Sequence, residues 1–411
     1  MTLRAVIVAG LMLIGGHAIA ASPGARAVPV ERLAPPIVFY VARGAPDGCG
    51  RGCDSWIAAE GQIDSDAAPR FRKFLRQIRG RNLPIYFASP GGNIDQALAI
   101  GAILRERPVV ARVARTVVSE CGFEAQDSDV CLKLKHSGRE LHGNLWTRAA
   151  MCNSACPYLI LGASTREIAP DAVLAVHSPK VVLRFSGGAP TPQARAAATE
   201  RSLARIDRTL SSYIARMGAR IGLLELARTV PFEGMHILTR EEIVRFGIDR
   251  RDIVDTPWTF ENNGRSMVRK FAIDKGAADN SYRLLQWRLV CFNAERFELD
   301  FQRPAGVYAN LATVSISDGG TRYFAYPPAR SQAFEAWGLR LNWESVQALA
   351  DQPDFEFTET SLGPDGKRVA HPERFSTEGL TGALASLLAT CPPRRDGAPS
   401  STNVSQDRAA K

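Results

Sequence analysis

Between residues 37 and 255, short β-branched or aromatic runs alternate with stretches whose apolar residues recur every three or four positions. Alternation of this kind predicts α/β architecture built from stacked βαβ units. Ile37–Val41 reads as a strand. A helix follows, with Ser65 or Asp66 as N-cap and Phe71, Leu75 and Ile78 on one face. Pro84–Ala88 is a short buried strand, Ser89-Pro90-Gly91-Gly92 a turn, and Asn93 caps a helix whose apolar face is Ile94, Leu98, Gly101 and Leu104. Val110–Val118 reads as one further strand. Residues 119–150 break the rhythm: they are polar, carry Cys121 and Cys131, and predict an inserted hairpin. Met151–Gly162 is a turn into a buried helix, and Val173–Val176 is again a strand. Residues 184–195 are rich in Gly, Pro and Ala and predict a mobile segment. A long helix follows with Leu203, Ile206, Leu210, Ile214 and Met217 in register, and Thr239–Glu242 starts another that ends near Gly247.

After about Thr256 the pattern changes. Strand-like runs at Arg283–Phe292, Ala312–Ile316 and Arg322–Tyr326, and a helix at Leu380–Ala389, predict a smaller α+β C-terminal domain over 256–393. Residues 394–411 are polar and predict a disordered tail. Hydrophobic residues make up 45% of the chain and charged residues 23%, which excludes a wholly disordered, collagen-like or coiled-coil protein. The formal charge is +9, but the sequence contains no helix-turn-helix, finger or RNA-binding motif. The charge therefore predicts a solvated, mildly basic surface with no nucleic-acid partner.

The first 20 residues have the form of a cleavable signal peptide: Arg4, an apolar run from Ala5 to Gly16, and Ala18-Ile19-Ala20 as the cleavage site. Residues 21–36 read as a linker. The expected location is periplasmic or secreted, with no transmembrane anchor once the signal is removed. The eight cysteines then favour disulfides. Proximity suggests Cys49–Cys53 and Cys121–Cys131, and isolation suggests Cys291–Cys391. A Cys152–Cys156 bond would strain a regular helix, so one of these two is expected to reach Cys49 or Cys53, or to stay reduced. No His or second Cys pair accompanies Cys49-Gly-Arg-Gly-Cys53, so no metal is expected.

Three features carry chemistry. Gly91-Gly92 sits where a strand passes into a helix, so its backbone can approach a ligand and offer free N–H donors. Ser154, followed by the small Ala155, lies at the mouth of a predicted helix in Met151-Cys-Asn-Ser-Ala-Cys156. His177 ends the apolar strand Val173–Val176 and suits a general base. Taken singly, each has a plainer reading: a tight turn, a capping serine and a buried histidine bonded to backbone.

Taken together, on an alternating strand and helix scaffold, the three resemble the Clp protease proteolytic subunit of the ClpP/crotonase superfamily. The resemblance covers residues 37–255. Its marks are Ser89-Pro-Gly-Gly92, Ser154, Gly162-x-x-x-Arg166, His177-Ser-Pro179 and Glu241-Glu242 with Phe246-Gly247-Ile248-Asp249. The signal peptide and the Cys-x-Ser-Ala-Cys form resemble an exported bacterial group within it. The resemblance implies Ser154 as nucleophile and His177 as base. Gly91 lies along the substrate, and the N–H groups of Gly92 and Ala155 form the oxyanion hole. Met235 occupies the place of the family's acid, and Glu233 and His236 are the nearest polar residues; Glu233 is taken as the candidate acid. Residues 184–220 match the segment through which such subunits pack into rings, which implies a homo-oligomer. The expected partner is a peptide or protein substrate, with no cofactor and no ATPase.

Several function classes follow from this resemblance. The first is a serine peptidase or related hydrolase working through an acyl-enzyme on Ser154. The second is a pseudoenzyme that binds extended peptides in the same cleft. A crotonase-type acyl-CoA enzyme fits poorly with export, and a Ser–Lys variant would have to use Lys180.

Overall fold

The computed structural model describes residues 34–392 apart from 51, 182, 184–189, 264, 276–280, 306–310 and 332–333. The expected signal peptide, linker residues 21–33, residues 184–189 of the expected mobile segment and the tail lie outside the described residues. The chain is a mixed α/β protein with several sheets.

Its N-terminal half runs β1 (Val38–Arg43), β2 (Ser55–Glu60), α1 (Ala67–Gln77), β3 (Ile85–Ala88), α2 (Ile94–Arg105), β4 (Val110–Val113) and β5 (Arg115–Val118). It continues through α3 (Asp129–Lys135), β6 (Leu141–Trp146), β7 (Met151–Asn153), α4 (Cys156–Ile160), β8 (Thr165–Glu167) and β9 (Val173–Val176). It closes with α5 (Pro192–Arg216), α6 (Gly222–Thr229), β10 (His236–Ile237) and α7 (Arg240–Arg245). One seven-stranded sheet has the order β5-β6-β1-β2-β3-β4-β8, and a three-stranded sheet has the order β10-β9-β7. Strands β2, β3, β4 and β8 are parallel, as βαβ crossovers require. The expected single strand Val110–Val118 divides at Ala114: β4 stays beside β3, and β5 pairs with β6 at the far edge.

The large sheet is buried on both faces, which explains why its strands are apolar at successive positions rather than alternate ones. Phe39, Ile57 and Ala59 join one core with α1, α2 and α4, whereas Tyr40, Trp56 and Ala58 join a second. Residues 119–150 contribute to that second core and are not a hairpin. They form helix α3 and strand β6, and place Cys121, Cys131 and Leu141 against the back of the sheet. Their polar look hides an inward face. Lys135 is 4% exposed and is buried because its ammonium donates to Glu60 Oε2 at 2.7 Å and to Gln126 O at 2.9 Å. Tyr40 donates to the same Glu60 oxygen at 2.8 Å.

The C-terminal half comprises β11 (Val254–Asp255), β12 (Thr259–Asn263), β13 (Arg265–Lys275), β14 (Tyr282–Asn293), β15 (Arg296–Pro304), β16 (Leu311–Ser317) and β17 (Arg322–Phe324). It ends with β18 (Tyr326–Arg330), β19 (Phe334–Asn342), α8 (Trp343–Ala350), β20 (Asp354–Leu362), β21 (Arg368–Ser376) and α9 (Leu380–Leu388). These strands form a seven-stranded sheet and a four-stranded sheet, β17-β16-β20-β21, both antiparallel. Trp287 of β14 joins the two sheets, its ring 5.3 Å from Phe301, 5.9 Å from Phe355, 5.6 Å from Phe357 and 4.7 Å from Phe375. This core shares no residue with those of the N-terminal half.

The structure contains four disulfides: Cys49–Cys53, Cys121–Cys131, Cys152–Cys156 and Cys291–Cys391. The third corrects the expectation that Cys152 and Cys156 stay apart. Cys152 lies on β7, and only Cys156 belongs to α4. The bond therefore spans a strand, a turn and the first residue of a helix, and the regular helix that would have resisted it is absent.

Candidate active site

Strand β7 ends at Asn153 and α4 begins at Cys156, so Ser154 and Ala155 form the turn between them. Ser154 has φ +59°, a left-handed conformation uncommon for any residue but glycine. Such a conformation persists only where its surroundings enforce it. Ser154 N–H donates to Ala175 O of β9 at 2.8 Å, and Asn153 N–H donates to Ser89 O at 3.0 Å. The Cys152–Cys156 bond brackets the turn, and both cysteines are fully buried.

Strands β7 and β9 are parallel, with Asn153 opposite Ala175, so both run out at the same edge. Ser154 follows the first strand and His177 the second. Their side chains meet there, with His177 Nε2 2.7 Å from Ser154 Oγ.

The Gly91-Gly92 turn closes the site from β3. Ser89 bridges to Cys152, which links the two sheets. Gly91 has φ +100°, and a Cβ there would stand 2.5 Å from Asn153 O, 2.6 Å from Ser154 Cβ and 3.0 Å from Ala155 N. Only a glycine lets the two turns lie this close. Gly92 has φ +136°, and a Cβ on it would overlap Ile63 O. Among the described residues, neither Gly92 N–H nor Ala155 N–H makes a hydrogen bond. The site therefore offers a hydroxyl, an imidazole within hydrogen-bond reach and two backbone donors whose hydrogen-bonding capacity is unused. Asn93 caps α2 beside them, accepting from Gln96 N–H at 3.0 Å.

Glu233 makes no hydrogen bond to His177. It is exposed and makes no hydrogen bond or ion pair among the described residues. Met235 is 44% exposed, and His236 is engaged with Glu242 through Nε2 at 2.8 Å. Behind the base, His177 Nδ1 is buried and has no hydrogen-bond partner among the described residues. Asp171, half-buried and with its carboxyl pushed up to about 6 by desolvation, precedes β9 rather than following it and accepts from Thr147 instead. Phe232 packs on the imidazole, with ring centroids 4.9 Å apart. The sequence held a signal for this contact: an aromatic residue in Val230-Pro-Phe-Glu-Gly234, one position before the glutamate weighed as the acid.

A cavity of about 890 Å³ lined by Pro190, Arg195, Leu203 and Asp207 opens along α5 and contains neither Ser154 nor His177. Of the 25 residues of α5, only Leu210, Tyr213 and Ile214 are buried. Among the described residues, no group of three or more His, Cys, Asp or Glu side chains is arranged to hold a metal, and no helix is long and apolar enough to cross a membrane. No protein-family model matches the sequence, and no curated protein matches it.

Proposed function

We propose that this protein is a serine hydrolase, with peptides or proteins as its substrates, built on a ClpP/crotonase-like fold over residues 37–255 and acting in the periplasm or outside the cell. The observation that carries the reading is the 2.7 Å contact of His177 Nε2 with Ser154 Oγ, at a serine held in a left-handed turn beside free backbone donors. Ser154 Oγ attacks the acyl carbon as its proton passes to His177 Nε2. Gly92 and Ala155 N–H groups stabilise the oxyanion. His177 returns the proton to the leaving group, which departs and leaves an acyl-enzyme. Water then hydrolyses the ester by the same route in reverse.

The second reading is a cleft that binds extended peptides without turning them over, and the unpartnered His177 Nδ1 favours it. Triad enzymes place a buried carboxylate there to fix the tautomer and stabilise the imidazolium. A fluorophosphonate probe and an activated ester separate the two. Under the hydrolase reading, wild type labels and turns over, Ser154→Ala does neither, and Glu233→Gln matches wild type. Equal ester turnover by wild type and Ser154→Ala would replace it with the binding reading.

A further inference from the structure

We propose that Phe232 is a positioning residue for His177, occupying the role that a carboxylate fills in a catalytic triad; the inference rests on the hydrolase reading above. To accept a proton at Nε2, neutral His177 must carry its own proton on Nδ1. With no acceptor beside it, that tautomer leaves a buried N–H unpaired, which disfavours it. The group packed on the ring is Phe232, with centroids 4.9 Å apart and planes inclined by 43°. An aromatic face is a weak acceptor for N–H and attracts a cation. Phe232 would thus restrict the plane of the imidazole and favour the imidazolium formed when Ser154 attacks. It exchanges no proton: the hydroxyl proton moves from Ser154 Oγ to His177 Nε2 and on to the leaving group.

The backbone holds Phe232 for this task. Gly234 N–H donates to Pro231 O at 2.9 Å, which closes the turn that carries Phe232. Ser178 N–H donates to Val230 O at 2.9 Å, which ties that turn to the residue after His177. The Lys180 ammonium lies 4.9 Å from the centre of the same ring. It is a second cationic group on that ring.

The test compares Phe232→Leu with Phe232→Trp, measuring kcat and KM on an activated ester in the wild-type and His177→Ala backgrounds. Nitrogen-15 NMR of the His177 ring is recorded in parallel. A cation–π contact of ordinary strength corresponds to a kcat change of about 2- to 30-fold. Phe232→Leu should lower kcat within that range, with KM nearly unchanged. Phe232→Trp should keep wild-type kcat, because indole offers the strongest face. In the His177→Ala background, Phe232→Leu should cost nothing more. The ring nitrogens should report one tautomer in wild type and in Phe232→Trp, and a mixture in Phe232→Leu. Equal losses for Leu and Trp, or the same loss without His177, would reduce Phe232 to a packing residue and overturn the proposal. If wild type shows no Ser154-dependent turnover, the hydrolase reading fails by itself. The NMR comparison then still decides, since an unchanged His177 signature in Phe232→Leu refutes positioning.

Discussion

Replacing Gly91 with alanine should damage the site more than any exposed-loop glycine replacement. The added Cβ would stand 2.5 Å from Asn153 O and 2.6 Å from Ser154 Cβ. Overpacking of this kind costs about 1–3 kcal/mol. The positive φ of +100° adds backbone strain of about 1–3 kcal/mol for a non-glycine residue. Together these give a destabilisation of roughly 2–6 kcal/mol. Gly138→Ala is the control, because Gly138 also has positive φ, +74°, but a Cβ there meets nothing within 4 Å. It should lose only about 1–2 kcal/mol, from backbone strain alone. Relief of the clash at Gly91 would move the Ser154 turn, and a displacement of about 1 Å can cost on the order of 100-fold in rate. Urea denaturation and the rate of fluorophosphonate labelling measure the two effects. Gly91→Ala that is no less stable than Gly138→Ala, and that labels at the wild-type rate, would refute the argument that close approach of the turns builds the site.

Other perturbations separate structural from catalytic contributions. Removing Cys291–Cys391, whose cysteines are 100 residues apart, should cost about 4–5 kcal/mol in the loop-entropy model, against about 2 kcal/mol for Cys152–Cys156. Only the second should also slow labelling of Ser154, which paired denaturation and labelling experiments would show. Lys135→Met leaves Glu60 largely buried without its ammonium partner and should destabilise by about 3–5 kcal/mol, with Glu60→Gln in addition recovering part of the loss in chemical denaturation. Burial and the neighbouring Asp274 push the Glu373 carboxyl up to about 8. The folded state then holds this proton more tightly than the unfolded chain. Stability of the C-terminal half should therefore fall as pH rises from about 4.5 to about 8 and level off above, and Glu373→Gln should flatten that slope in melting curves.

What could be read from the sequence follows from where side chains are forced to point. The βα alternation, the Asn93 cap and the meeting of Ser154 with His177 were legible, because strands ending at a common edge bring their next residues together. Residues 119–150 misled because Lys135, an emblem of solvent in a sequence, is neutralised inside by Glu60. The same effect hid β13 and β20 of the C-terminal half. Asp274 of β13 and Glu359 of β20 are buried against Arg283 of β14, so charges there do not mark exposed positions. Cys152 and Cys156 were misjudged because their spacing of four was assigned to a helix that starts only at the second cysteine. Glu233 was weighed on position alone, and its neighbour Phe232 makes the contact with the base.

The cysteine pairs also bear on how the chain matures. Each disulfide joins one cysteine to the next along the sequence: 49 to 53, 121 to 131, 152 to 156 and 291 to 391. Of the 105 ways to pair eight cysteines, this is the one reached by joining them in order of appearance. As the chain emerges N-terminus first, every cysteine that still lacks a bond meets its proper partner before any other. An oxidant that merely forms bonds is enough to reach the native set, and an enzyme that reshuffles wrong ones has no obligatory task. This order allows the turn that carries Ser154 to be sealed by its own five-residue loop before the C-terminal half has been made.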